Sequence, residues 1–358
     1  MQDGVCDNET RNNASGQMGT ECTGDQLLFQ CPGRRQIRAE FDGGDISSDG
    51  GVLLLKAADE RIQLIEQFAF CFEDHRDPRR IEHEVRELVA QRVFGLALGY
   101  EDLNDHDDLR FDPLIATAVG KSDPKGQRRR LRDRGASLAA SSTLNRVELS
   151  RPEDASRHRY KRVVLHEPLV DQLLLDLFVQ AHDEPPDRIV LDFDATDDPL
   201  HGRQEGRFFH GYYGHYCYMP LYVFCGDHLL VARLRRSNID ASAGTVDELE
   251  RIVPALREQW PEVEILVRGD SGFCREGIMA WCENNAVDFV FGLARNQRLE
   301  RCIAGTMNRA KRKAKKTGKP ARYFQELCYR TRSSWSRERR VVAKAEHLDL
   351  PPFRWTRG

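Results

Sequence analysis

The stretch Arg188-Ile-Val-Leu-Asp-Phe-Asp-Ala-Thr196 decides how this chain is read. It is a short, almost unbroken apolar run that begins just after Pro185-Pro186, where the character of the sequence changes. A run of this length bounded by breakers predicts a buried strand. Side chains alternate across a strand, so Asp192 and Asp194 share one face while Phe193 points to the other. Asp194 falls at the strand's end.

Working downstream, 216–224 and 228–234 read as two more strands joined by Cys225-Gly226-Asp227, a tight hairpin signal. An amphipathic helix over 245–259 follows, then a strand over 264–268 that runs into Gly269-Asp270-Ser271-Gly272. A helix over 276–285 and a last strand over 288–293 complete the run. A hairpin meander followed by alternating helix and strand predicts an α/β domain over 185–294, a mixed five-stranded sheet with flanking helices. This is the element order of a ribonuclease-H-like domain. If the first and fourth strands are neighbours in that sheet, their ends meet, and Asp194 comes to lie beside Asp270. Hard divalent cations take oxygen ligands, and Mg²⁺ (or Mn²⁺) is held by one or two carboxylates plus phosphate oxygens. Two such ions ~3.5–4 Å apart stabilise both the entering and the leaving oxygen of a phosphodiester displacement. The plainer reading is that each Asp caps a turn or the helix after it.

Upstream, residues 1–34 are rich in Gly, Asn, Thr, Asp and Gln, and read as an unstructured leader. Residues 35–184 read as a mainly helical region suited to binding DNA. Within it, 51–68 carries apolar residues at helical spacing after a turn and capping carboxylate in Asp49-Gly50-Gly51. A second helix near 82–98 ends at Gly99, and a third over 169–181 puts Leu173, Leu174, Leu177 and Phe178 on one face. Residues 121–134 are polar and basic, either a loop or a DNA-facing segment.

Residues 295–358 form a basic insertion with a β-ribbon, with strands at 323–332 and 337–346. The net charge of the whole 358-residue chain is only −3, so the cations here are a local concentration. Arg295, Arg298, Lys311, Arg312, Lys313, Lys315 and Lys316 are the candidate phosphate contacts; a solvated arm is the alternative. The run Arg207-Phe-Phe-His-Gly-Tyr-Tyr-Gly-His-Tyr-Cys-Tyr218 allows zinc ligation by His210, His215 and Cys217, core packing of aromatics, or stacking on a nucleobase. No Gly-rich phosphate loop is present. The ten cysteines form no C-x-x-C pair, which points to reduced thiols. The apolar stretches are too short for a bilayer span and no secretory signal is seen, so a cytoplasmic location without membrane contact is expected.

Several blocks together resemble DDE transposases of bacterial insertion sequences, nearest the IS thirteen-eighty-like group. They are Asp192-Phe-Asp-Ala-Thr-Asp-Asp-Pro-Leu-His-Gly202, Gly211-Tyr-Tyr-Gly214, Tyr218-Met-Pro-Leu-Tyr222 and Val267-Arg-Gly-Asp-Ser-Gly-Phe273. Further matches are Ile46-Ser-Ser-Asp-Gly-Gly-Val-Leu-Leu-Leu55, Ser141-Ser-Thr-Leu-Asn-Arg-Val-Glu148 and Ser334-Trp-Ser-Arg-Glu-Arg-Arg-Val-Val-Ala-Lys-Ala-Glu346. The resemblance implies metal-dependent strand cleavage and strand transfer at element ends, with Asp194 and Asp270 as the first two catalytic, metal-holding acids. It implies double-stranded DNA (terminal repeats and target) as partner, bound by a homodimer. It also places a third acid, a Glu, on a helix after the β-rich insertion, whereas this chain ends at Phe353-Arg-Trp-Thr-Arg-Gly358. A truncation with impaired activity is therefore expected, since Glu338 and Glu346 fall in the ribbon. A metal-dependent nuclease and a non-enzymatic DNA-binding remnant are the other readings.

Overall fold

Burial alternates along Arg188–Ala195 (β1): Ile189, Leu191 and Phe193 are buried, while Val190 and Asp192 are half-buried and Asp194 is exposed. In the structure, a computed structural model, β1 is the centre strand of the expected mixed sheet. Leu221–Cys225 (β2), His228–Arg233 (β3), Glu264–Gly269 (β4) and Asp288–Phe291 (β5) give the order β3-β2-β1-β4-β5. β2 runs antiparallel to both its neighbours, whereas β4 runs parallel to both β1 and β5. The β2–β3 turn is two residues long, with Gly226 at φ 58, where a side chain would be strained. Residues 47–153 and 159–348 are described, with the backbone of two earlier strands.

Three helices cover one face: Glu167–Gln180 (α1), Thr245–Gln259 (α2) and Glu276–Asn284 (α3). They contribute Leu175 and Phe178, then Leu249, Ile252, Val253 and Leu256, then Ile278 and Cys282, to one core with Leu191, Val223 and Val267. Removing a side chain the size of Leu191 from water is worth about 1.5–3 kcal/mol, so this face carries much of the unit's stability.

Two expectations shift here. Strand 216–224 is two strands, because Pro220 has no N–H to give a ladder; His215–Tyr218 instead joins Asp198–Pro199 and Phe208–His210 in a separate three-stranded sheet. On α1, Leu175 takes the core position expected for Leu174. α1 packs into this core, in a compact unit made of Glu66–Glu73 and the chain from Leu165 onward.

Beyond β5, the basic stretch is a 21-residue helix, Gln297–Thr317 (α4). Asn296 caps its start by accepting from Leu299 N–H (3.0 Å), and Gly318 closes it at φ 59. Ala310 and Ala314, fully buried one turn apart, let α4 lie on the antiparallel ribbon of Ala321–Tyr329 (β6) and Arg339–His347 (β7). The ribbon is tied to α3 by Arg339, buried, which reaches Glu276 (2.7 Å) and Glu283 (2.8 Å).

The other unit, 1–65 with 74–164, is mainly helical where described: Val52–Ile62, Val85–Ala97, Pro113–Val119 and Ser141–Glu148. The helix expected over 51–68 breaks at Gln63 (φ 55). Asp49 does not cap it; its carboxylate accepts from the Tyr100 hydroxyl (3.1 Å). The second helix starts with a capping box between Glu84 and Glu87 and ends before Gly99, at φ 97, as expected. Loop 121–134 is partly spent inside the unit: Arg129 donates to Glu82 (3.1 Å), His83 Nε2 (3.3 Å) and the Ser137 carbonyl (3.3 Å). Burial, then the charges of Lys121 and Arg129, hold the His83 imidazole down at about 3. Within the expected unstructured leader, Gln26–Gln30 is a strand paired antiparallel with Gln36–Glu40, in line with its apolar Leu27-Leu28-Phe29. The rest of the leader lies outside the described residues.

Candidate active site

The β1–β4 ladder sets Asp192 opposite Arg268 and Phe193 opposite Gly269. One residue further on, Asp194 is still within β1 and Asp270 lies just past the end of β4, and both are exposed. Asp192 is occupied: the Arg268 guanidinium grips it with Nε to Oδ1 and Nη2 to Oδ2 (2.5 Å). Asp194 is exposed, and among the described residues its carboxylate accepts no hydrogen bond and meets no cation. Two acids with the same parity on one strand thus have different surroundings, and Asp194 is the uncommitted one.

Asp270 accepts from Gly272 N–H through Oδ1 (2.7 Å), so the turn-capping reading of the sequence is correct as far as it goes. Its Oδ2 accepts no hydrogen bond among the described residues. The turn needs two glycines. A Cβ on Gly272 would sit 2.9 Å from Asp270 Oδ1, and one on Gly292 would sit 2.8 Å from Ser271 N. Gly292 also donates to the Gly269 carbonyl (3.0 Å), which extends the β4–β5 ladder right up to Asp270.

Just past β1, Asp197 meets His215, which the sequence offered only as a zinc ligand. His215 Nε2 and Asp197 Oδ2 are 2.7 Å apart. Burial first, then the nearby charges of Asp197, Asp194 and Asp270 along with Tyr212, raise the Tyr213 hydroxyl above its ordinary value. The His215–Asp197 contact ties the small sheet to the segment that follows β1. Asp197 lay within the quoted Asp-Ala-Thr-Asp-Asp block and His215 within the aromatic run, but nothing in their spacing connects them.

The donor set suits a hard cation: carboxylate oxygens, at adjoining strand ends, open to solvent. Among the described residues no group of three His, Cys, Asp or Glu side chains is arranged to hold a metal ion. Glu346 is paired with Arg322 (2.6 Å) and Lys344 (3.0 Å) on the ribbon. His210, His215 and Cys217 form no zinc set; Cys217 is fully buried and His215 is engaged by Asp197. A cavity of about 850 Å³ lies elsewhere, between β5, α4 and β7, and neither Asp194 nor Asp270 lines it.

The candidate phosphate contacts divide in two. Arg295 is paired with Glu300, and Arg298 lies 5.1 Å from the Tyr329 ring centre and donates to the Arg330 carbonyl (2.9 Å). Lys311, Arg312, Lys313, Lys315 and Lys316 are exposed on the last turns of α4 and form no ion pair among the described residues.

This fold and site define a class of α/β protein that presents hard oxygen ligands where its central parallel strands end. The chain belongs to the transposase DDE domain group 1 family, whose model matches residues 29–350. A solved piggyBac transposase synaptic complex with hairpin DNA is 13% identical, with a TM-score of 0.34, over 82% of this chain and 60% of that one. The chain thus spans less than two thirds of that transposase's length. No curated protein matches the chain. Among the described residues no helix is long and apolar enough to cross a membrane.

Proposed function

We propose that Asp194 and Asp270 hold the divalent ions, Mg²⁺ or Mn²⁺, of a ribonuclease-H-like transposase that cuts and joins DNA at insertion-sequence ends. The in-register parallel pairing of β1 with β4 carries this reading. Bound ions would stabilise the oxygens that enter and leave in phosphodiester displacement. The chain's own residues do the rest. Asp194 offers two uncommitted oxygens, while Gly272 N–H fixes the Asp270 carboxylate in one orientation. Arg268 neutralises Asp192, which limits the repulsion among three acids at one strand edge. Lys311, Arg312, Lys313, Lys315 and Lys316 contact phosphates of double-stranded DNA, and each neutralised phosphate steepens the salt dependence of binding. The 35–184 region reads the terminal repeats, and a homodimer brings two ends together.

A nicking and strand-transfer assay with Mg²⁺ on matched element ends tests this proposal. Asp194-dependent nicking is expected; nicking that persists in Asp194→Ala would overturn the assignment. The exposed cations of α4, which need no metal to meet phosphates, also suit a second reading, a non-catalytic DNA-binding protein. Metal-free end binding unchanged by Asp194→Ala, with no nicking by either protein, would select it.

A further inference from the structure

The small sheet beside the carboxylates has an outer face that the chemistry above does not use. Its hairpin, 208–218, turns through Gly211-Tyr212-Tyr213-Gly214, with His210 paired to His215 and Gly214 at φ 77. Tyr212 at the tip is 87% exposed, and Phe209 and Tyr216, directly opposed across the strands, are 58% and 47% exposed. Their rings meet edge to face at 5.6 Å. The Arg207 guanidinium stands 4.6 Å from the Tyr216 ring centre. On the inner side, Cys217 is fully buried, so the outward set is a consistent face and not a loose loop.

Large aromatic rings left in water cost free energy unless something covers them. Cations supply the complementary charge. Arg203, Arg207 and Arg236 surround this sheet and form no ion pair among the described residues; Arg236 lies over Gly206, where an added Cβ would meet its Nε at 3.3 Å. Aromatic rings interleaved with guanidinium groups match one ligand chemistry, the π-face of a nucleobase flanked by phosphates. His215 joins the two regions: on the hairpin, its Nε2 lies 2.7 Å from Oδ2 of Asp197, three residues past Asp194. A base held there belongs to a nucleotide next to the phosphate under attack.

We propose that the 208–218 hairpin is a stacking platform, on which Tyr212 holds an unpaired nucleobase adjoining the phosphodiester presented to Asp194 and Asp270, with Arg203, Arg207 and Arg236 on its phosphates. This rests on the reading of the carboxylate pair as the cleavage site. Stacking favours DNA whose bases are already unpaired, because the cost of opening the duplex is then spared.

The test uses the full chain without divalent metal, and two DNA probes, a blunt duplex and one with a single-stranded tail carrying 2-aminopurine at the junction. The tailed probe is expected to bind about tenfold tighter, with quenched 2-aminopurine fluorescence. Tyr212→Ala, a change at a solvent-exposed ring, should abolish both effects, and Tyr212→Phe should keep both. Asp194→Asn should keep both while losing Mg²⁺-dependent nicking, so the two readings fail separately. Undiminished quenching and tail preference in Tyr212→Ala would overturn the platform. So would a change in that variant's sedimentation with none in its DNA binding, which would make the rings a contact between copies of the chain.

Discussion

The two faces of the five-stranded sheet are built from the same strands and do opposite things. On the covered face, Ile189, Leu191, Phe193, Val223, Ile265 and Val267 are nearly or fully buried beneath α1, α2 and α3. On the other, Phe224 is 37% exposed and Val290 58% exposed, while Asp192, Asp194 and Arg268 stand in the same rows. The difference teaches where each cost is carried. Charged groups would be ruinous under the helices; on the open face they keep water, and Asp194 accepts no hydrogen bond among the described residues. Stability and chemistry are separated by the thickness of one sheet.

The sharpest way to break this comparison is Asp194→Asn. The loss of several kcal/mol of charge stabilisation should lower Mg²⁺-dependent nicking by about 10³-fold, with an unchanged melting temperature. A large fall in melting temperature would show that the open face also holds the fold. Leu191→Ala, three residues away on the covered face, should do the reverse. It should cost about 2–5 kcal/mol in urea unfolding, with per-molecule activity retained in whatever fraction stays folded.

Next comes Arg339→Met, which leaves Glu276 on α3 with only the Ser336 hydroxyl and Glu283 with Arg337 alone (2.6 Å). A loss of about 2 kcal/mol is expected, discounted from the buried-pair range because both partners are partly solvated. Its hydrogen bonds hold the Glu276 carboxyl down at about 2, against an ordinary 4.5. The unfolded chain therefore binds more protons between those values. The stabilisation is complete above about pH 4.5 and is lost as pH falls toward 2. Unfolding curves across that window should show the acid sensitivity in the wild type and its attenuation in Arg339→Met. Smallest is Val290→Ser on the open face, expected within about 0.5 kcal/mol; a loss several times larger would mean that this face is a packed one.

Much of this was legible along the chain. The hairpin at Gly226, the helix over Thr245–Gln259 and the run into Asp270 follow from local periodicity and turn chemistry, and the structure places them within a residue or two. The parallel pairing of β1 with β4, which brings the ends of those strands together, could be anticipated only by assuming which strands adjoin. What failed to show was nonlocal. The chain leaves the main sheet after Ala195 to build the aromatic hairpin and rejoins it past Pro220, Leu175 displaces Leu174 in the core, and Arg339 spans from the ribbon to α3. A helical wheel does not specify which of several apolar neighbours meets the sheet, and a charge run does not say which cations are already spent. Arg295 and Lys311 look alike in sequence, yet one is paired with Glu300 and the other has no ion pair among the described residues.

By itself, the order of residues determined the alternation of apolar and polar positions, the breakers and the parity that puts Asp192 and Asp194 on one face, because each depends on neighbours a few residues apart. Only the tertiary structure decided which of those two acids is free. Arg268 comes from a strand far along the chain, and its guanidinium reaches Asp192 solely because β4 pairs with β1 in that register. Pairing across such a distance is set by the burial of the whole sheet, a cooperative property that no short window of sequence contains.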